Sequence, residues 1–223
     1  LGIVVARASP RHEEANHRMP NFEDLPLFPL NVVLYPQEKL PLHIFEPRYR
    51  DMLRYCLESK EPFGVVYVRD NELATIGCTA RVKQVTRQYD DGRLDILSIG
   101  ETRFEIEEVL NEQTYTTARV QPLIEANEPA TPRIRERAIA QHMRFLELIR
   151  EKPRPELYER SPLTSYLIAP RAGLDLEQKQ AVLEINTEDA RLDYLSEHLA
   201  SMIKALEQET VARRRVQSDG HFS

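Results

Sequence analysis

Two cysteines, seven glycines and no long apolar run are what this chain of 223 residues has little of, and each scarcity excludes a class. Cys56 and Cys78 alone do not make a secreted disulfide framework. The glycines, at 2, 64, 77, 92, 100, 173 and 220, nowhere form the Gly-x-x-x-x-Gly-Lys-Ser/Thr loop whose amides cradle phosphates. No stretch reaches the roughly 18 to 20 apolar residues needed to cross a bilayer. Gly2-Ile-Val-Val-Ala6 is shorter than the roughly 7 to 15 residues of a signal-peptide core and has no basic segment before it. These features give a cytoplasmic reading. Basic charge is also short: the net charge of −6 and the pI near 5.6 argue against broad nucleic-acid binding.

Ligand sets for chemistry are equally sparse. In His12-Glu13-Glu14-Ala15-Asn16-His17 the second histidine falls at i+5, where a helical zinc motif needs i+4 to put both imidazoles on one face. The remaining histidines, 43, 142, 198 and 221, are scattered, so neither a metal nor a cofactor is expected. The 36 Asp and Glu residues are spread along the chain, and no acid/base pair stands out.

What is present is 41% hydrophobic residues with 30% charged, enough to bury a substantial core. From Phe22 to Leu123 the pattern is mostly extended. Phe63 to Val68 reads as a buried strand closed by Asp70-Asn71, and Ile76 to Val85 leads to a hairpin turn at Asp90-Asp91-Gly92. Leu94 to Ile99 follows, Gly100 is expected to break that run, Phe104 and Ile106 resume alternation, and Thr114 to Val120 adds a strand. One helix interrupts the region: Pro47 suits its first turn, and Tyr49, Met52, Leu53 and Cys56 recur at helical spacing. Beyond Leu123 the character becomes helical, over Ile134 to Ile149, around Leu163 to Ala169, after an Asp175/Gln178 capping box, and after a Thr187 cap. Leu192, Leu195, Leu199, Met202 and Leu206 form an apolar seam over about two heptads. Packing inside the chain is the favoured cover for it, and a homodimer through this carboxy-terminal helix the alternative.

The densest signal lies between Leu25 and Leu53, where Pro26, Pro29, Pro36, Pro41 and Pro47 punctuate short apolar runs and keep each run extended. Leu25-Pro-Leu-Phe-Pro-Leu30, Val32-Val-Leu-Tyr-Pro36 and Leu40-Pro-Leu-His-Ile-Phe-Glu-Pro-Arg-Tyr49, followed by Ile76-Gly-Cys-Thr-Ala-Arg-Val82 and Gly100-Glu-Thr-Arg-Phe-Glu-Ile106, occur in order. Together they closely resemble the amino-terminal substrate-binding domain of Lon-type ATP-dependent proteases, over roughly residues 22 to 209.

That resemblance implies an α+β fold: a PUA-like β pseudo-barrel of about six strands with one inserted helix, followed by a carboxy-terminal helical bundle. The expected divisions are a flexible extension over 1–21, the β-rich domain over 22–124, a linker over 125–132, a helical subdomain over 133–215 and a flexible tail over 216–223. The native start is expected at Met19, with residues 1–18 an upstream extension. None of the six lysines (39, 60, 83, 152, 179, 204) stands in a block resembling the family's Ser-Lys proteolytic site. The resemblance therefore implies a non-catalytic module that binds unfolded or exposed apolar polypeptide segments, with a full-length Lon-type protease as a partner and no membrane association. An RNA-binding PUA-like module is the alternative, which the acidity and the missing stacking-aromatic pattern disfavour.

For a binding loop the candidates are Arg87, Tyr89 and Arg93, because a hairpin tip can present an aromatic ring between two cations on rigid strands. Glu46 is expected to pair with Arg48 or Arg50, and Arg213 to Arg215 to offset a helix dipole. His43, Phe45 and Tyr49 are expected to give most of their apolar atoms to the core.

Overall fold

Prolines fix how the chain enters its sheet. The structure, a computed structural model, describes residues 22–110, 114–125 and 130–219. β1 (Leu25–Leu30) carries Pro26 and Pro29, and the buried run Val33-Leu34-Tyr35 then leads to β2 (Lys39–Ile44). Pro47 opens α1 (Pro47–Ser59) at a position whose N–H needs no helical partner, and Tyr49, Met52, Leu53 and Cys56 are its buried face. β3 (Phe63–Arg69) and the two-residue β4 (Glu72–Leu73) form a hairpin, followed by the long strands β5 (Ile76–Gln88) and β6 (Leu94–Leu110) and by β7 (Thr117–Leu123).

The strands run in the order β1-β7-β6-β5-β3, and β3 returns to pair in parallel with β1, Leu27 opposite Gly64 and Leu30 opposite Tyr67, which closes a five-stranded barrel. Closure removes the free edges of that ring. β4 extends β3, and β2 pairs with the first half of β6, so the described strands number seven where about six were expected. Leu25, Leu27, Val66, Phe104, Ala118 and Val120 form one core cluster, and α1 covers a second around Phe28, Ile44, Phe63 and Ile96.

Gly100 does not break a strand, because β6 runs through it for 17 residues. Its role is close approach. A Cβ there would stand 2.1 Å from the Tyr35 carbonyl oxygen, and the bare backbone lets Gly100 N–H donate to Glu38 O (2.9 Å) while its carbonyl accepts from Gln37 N–H (2.8 Å).

The helical half comprises α2 (Pro132–Leu148), α3 (Thr164–Ile168), α4 (Leu176–Glu184) and α5 (Glu188–Asp219), with short 3-10 turns at Pro155–Arg160 and Ala169–Arg171. Asp175 and Gln178 cap α4 reciprocally, and Thr187 Oγ1 accepts from Ala190 N–H at 3.3 Å. Leu192, Leu195 and Leu199 are fully buried in a cluster shared with Phe145 and Leu146 of α2, so those positions of the seam are covered within the chain. That cluster also takes in Val33 and Tyr35 from the β-rich half, and the Tyr35 hydroxyl donates to Lys179 O at 2.8 Å.

The stretch 125–132 is tied at both described ends. Glu125 bonds Arg103 and Arg191, and Thr131 donates through N–H (2.8 Å) and Oγ1 (2.5 Å) to Asp189. Among the described residues no helix is long and apolar enough to cross a membrane.

Candidate functional site

Beyond the barrel, the far halves of β5 and β6 project as a three-stranded ribbon with β2. On β6, Ile96 and Ser98 are buried, so the period of two turns Asp95, Leu97 and Ile99 to the opposite face. Their cross-strand partners are His43, Pro41 and Lys39 on β2 and, on β5, Arg87, Gln84 and Arg81. Leu97 and Ile99 are half-buried and belong to none of the three core clusters. This face therefore carries apolar surface that the core does not use.

Polar geometry organises one end of the face. The Tyr89 hydroxyl donates to Asp95 Oδ2 at 2.9 Å, and His43 Nδ1 lies 2.5 Å from Asp95 Oδ1. Hydrogen bonds from His43 first and Tyr89 second hold the Asp95 carboxyl below its ordinary pKa, so it stays ionised. The Arg87 and Arg93 guanidinium carbons stand 4.6 and 4.8 Å from the Tyr89 ring centre. Gly92, at φ +84, closes the turn with its N–H donating to Tyr89 O. Asp91 is held below the ordinary carboxylate range by the Arg93 main-chain N–H and also accepts from Arg93 Nε at 2.7 Å. The three predicted residues thus come together on one ring.

Phe45 departs from expectation. It is 59% exposed, whereas Tyr49 is 7% exposed and packs on Phe28 with ring centres 4.3 Å apart. Strand parity is the reason: Ile44 takes the inward position, so His43 and Phe45 point outward, and their rings stack at 6.0 Å. His43 meets the Tyr89 ring edge-on at 5.8 Å, making Phe45, His43 and Tyr89 a continuous aromatic run along the open face. Glu46 pairs with Arg48 at 2.9 Å, while Arg50 donates to the Asp91 carbonyl at 2.7 Å.

On the other side of the ribbon a cleft of about 470 Å³ lies between α1 and the hairpin, lined by Arg50, Arg54, Leu57, Val85 and Leu94. Its Leu57 and Val85 are each 39% exposed. Main-chain pairing is a weaker resource here, because Pro41, near the middle of β2, has no N–H to offer a strand arriving beside the β2–β6 pair. The arrangement suits recognition by side chains: apolar contact on Phe45, Pro41, Leu97 and Ile99, with guanidinium donors at one end.

Among the described residues, no group of three or more His, Cys, Asp and Glu could hold a metal ion. The histidines His12 and His17 and the side chains of Arg213 to Arg215 lie outside the described residues. Sequence reasoning missed Asp95 and the face of Leu97 and Ile99, because both parities of β6 contain aliphatic residues and alternation alone does not say which faces the core.

Comparison with known proteins gives a consistent answer. The family model for the ATP-dependent protease La (LON) substrate-binding domain matches residues 24–201. The Lon protease of Buchnera aphidicola subsp. Baizongia pistaciae is 26% identical, over 90% of this chain and 28% of its own length. That of Escherichia coli (strain K12) is 26% identical over 86% of this chain and 26% of its own length. The chain thus spans about a quarter of these relatives. Among solved structures, the Lon N-terminal domain protein from Xanthomonas campestris has 25% identity and a TM-score of 0.63, covering 77% of this chain and 96% of that one. The N-terminal domain of Mycobacterium avium complex Lon protease, at 18% identity and a TM-score of 0.60 over 80% of this chain and 98% of that one, shares the fold.

Proposed function

The chain belongs to the Lon substrate-binding domain family, and from that premise we propose that it is a non-catalytic module that holds exposed apolar segments of other polypeptides in the cytoplasm, on behalf of a Lon-type protease. The open face of β2, β6 and β5 is the binding surface. The observation that carries this reading is Phe45, a large apolar side chain 59% exposed at one end of the face that also carries half-buried Leu97 and Ile99, on a ribbon whose opposite face is anchored in the core. Exposed apolar surface of this kind favours partners that arrive with apolar surface of their own.

Fluorescence anisotropy of a labelled, permanently unfolded polypeptide, such as reduced and carboxymethylated lactalbumin, tests it without nucleotide. Saturable binding that weakens in Phe45→Ser is expected, together with an intact polypeptide on a gel after incubation. No binding by the native protein, or cleavage of the polypeptide, overturns the reading.

A further inference from the structure

Of the arginines at the hairpin tip and the start of α1, three already have an acceptor. Arg48 is on Glu46 at 2.9 Å, Arg93 on Asp91 at 2.7 Å and Arg50 on the Asp91 carbonyl at 2.7 Å. Arg87 is different: it is exposed, its guanidinium stands 4.6 Å from the Tyr89 ring centre, and among the described residues it has no hydrogen-bonded acceptor. Its cross-strand neighbour Asp95 acts on it through space, but each Asp95 oxygen is already bonded, one to His43 and one to Tyr89.

A guanidinium stacked on a ring uses its π face for the stack and leaves its N–H edge open. That edge matches the two oxygens of a carboxylate, and the ring removes part of the entropy cost of fixing the long side chain. We infer that Arg87 is a carboxylate receptor, so that the face selects extended segments carrying an acidic side chain close to an apolar one. The inference rests on the polypeptide-binding reading above and adds the chemistry of the preferred client.

Geometry sets the spacing. β2 and β5 flank β6 and Asp95 is paired with both His43 and Arg87, so those two are about 10 Å apart across the ribbon, and Phe45, two residues beyond His43, is about 12 Å from Arg87. An extended segment crossing the strands covers that distance in about three to four residues. The client motif is therefore an aromatic or aliphatic residue over Phe45, with Asp or Glu three or four positions away. A phosphodiester strand fits less well, because Asp90, Asp91 and Asp95 crowd the same hairpin and repel a charge repeated at every nucleotide. One carboxylate needs only the single open edge.

The test uses a fluorescein-labelled peptide of about ten residues containing Phe and two Leu, in two versions with Glu or Gln three positions after Phe. Each is titrated against the full chain and its Arg87→Gln variant, whose exposed position preserves folding and whose far-ultraviolet circular dichroism confirms it. The native protein is expected to prefer the Glu peptide about tenfold at low salt, with the preference shrinking as salt rises and disappearing in Arg87→Gln. Equal affinity of the native protein for both peptides, or a preference that survives in Arg87→Gln, overturns the carboxylate assignment alone. Failure to bind either peptide or the unfolded polypeptide overturns the polypeptide-binding reading with it. Tight binding of a labelled single-stranded RNA that is lost in Arg87→Gln overturns the assignment in favour of phosphate.

Discussion

Arg103 of β6 and Arg191 of α5 grip the two oxygens of one carboxylate, Glu125, at 2.6 and 2.8 Å. Both guanidiniums are buried, and Arg191 also reaches Glu188 at 3.0 Å while Arg103 donates to the Leu183 and Ile185 carbonyls. The barrel and the helices are thus held through a charged joint. Glu125→Ala leaves buried Arg103 without its paired carboxylate and Arg191 with Glu188 alone, so a loss of about 3–5 kcal/mol in urea denaturation is expected. Glu125→Gln, which keeps an acceptor for the Tyr166 hydroxyl, is expected to lose less.

Glu125 also marks where the sequence stops being legible. Its surroundings, Glu125-Ala-Asn-Glu-Pro-Ala-Thr-Pro132, have linker composition, and nothing local signals that its first carboxylate reaches arginines at 103 and 191. Helix caps at Asp175 and Thr187 and most strand positions along the chain were readable because their causes lie within a few residues. The hairpin tip was readable for the same reason: Arg87, Tyr89 and Arg93 are neighbours through one turn. Phe45 was not, since its exposure depends on which parity of β2 faces α1.

Gly100 gives a steric prediction. Any side chain there drives a Cβ into the Tyr35 carbonyl at 2.1 Å, and that carbonyl is backbone, held in place by the flanking Gln37 and Glu38 contacts. Gly100→Ala is expected to cost roughly 3 kcal/mol or more and to lower the melting temperature by several degrees in differential scanning calorimetry. A melting temperature within a degree of the native one would show that the 35–38 loop shifts at little cost.

His142 couples stability to pH. It is 2% exposed, hydrogen-bonded through Nδ1 to the Tyr158 hydroxyl at 2.8 Å, and burial pulls its pKa down to about 4 against only partial support from the nearby Arg171 main chain. The unfolded chain, with an ordinary histidine near 6.5, binds more protons than the folded one between these values. Stability therefore falls as pH drops from about 6.5 toward 4, by up to about 3 kcal/mol. Glu38, whose pKa burial raises, acts in the opposite sense as it protonates. His142→Asn keeps a polar partner for Tyr158 without titrating, and its stability profile from urea melts is expected to be flatter between pH 6.5 and 5 than that of the native protein.

The two thiols should be silent in the native state. Cys56 and Cys78 are both buried, burial pushes Cys56 up to about 12 and Cys78 higher still, so the reactive thiolate is scarce as well as covered. Ellman's reagent at pH 8 is expected to react slowly with the folded protein and stoichiometrically in strong denaturant. Rapid labelling of Cys56 would mean that α1 lifts from the sheet, since it sits on the buried face of that helix.

Phe45 and Tyr49, four residues apart in the proline-rich block, separate binding from folding. Tyr49 is buried against Phe28, so Tyr49→Ala opens a cavity under α1 and is expected to cost about 3 kcal/mol or more. Phe45 is exposed and, among the described residues, its ring stacks on His43 alone, so Phe45→Ser should change stability by about 0.5 kcal/mol or less. Its effect on an unfolded polypeptide should be much larger, because the lost ring is the most exposed aromatic surface of the face, and burying a phenylalanine is worth about 1.5–3 kcal/mol. Anisotropy titration is expected to show affinity reduced about tenfold in Phe45→Ser. The opposite pattern, a destabilised Phe45 variant that binds normally, would place Phe45 in the fold and move the binding surface to the cleft between α1 and the hairpin, where Leu57→Ser and Val85→Ser would then carry the loss.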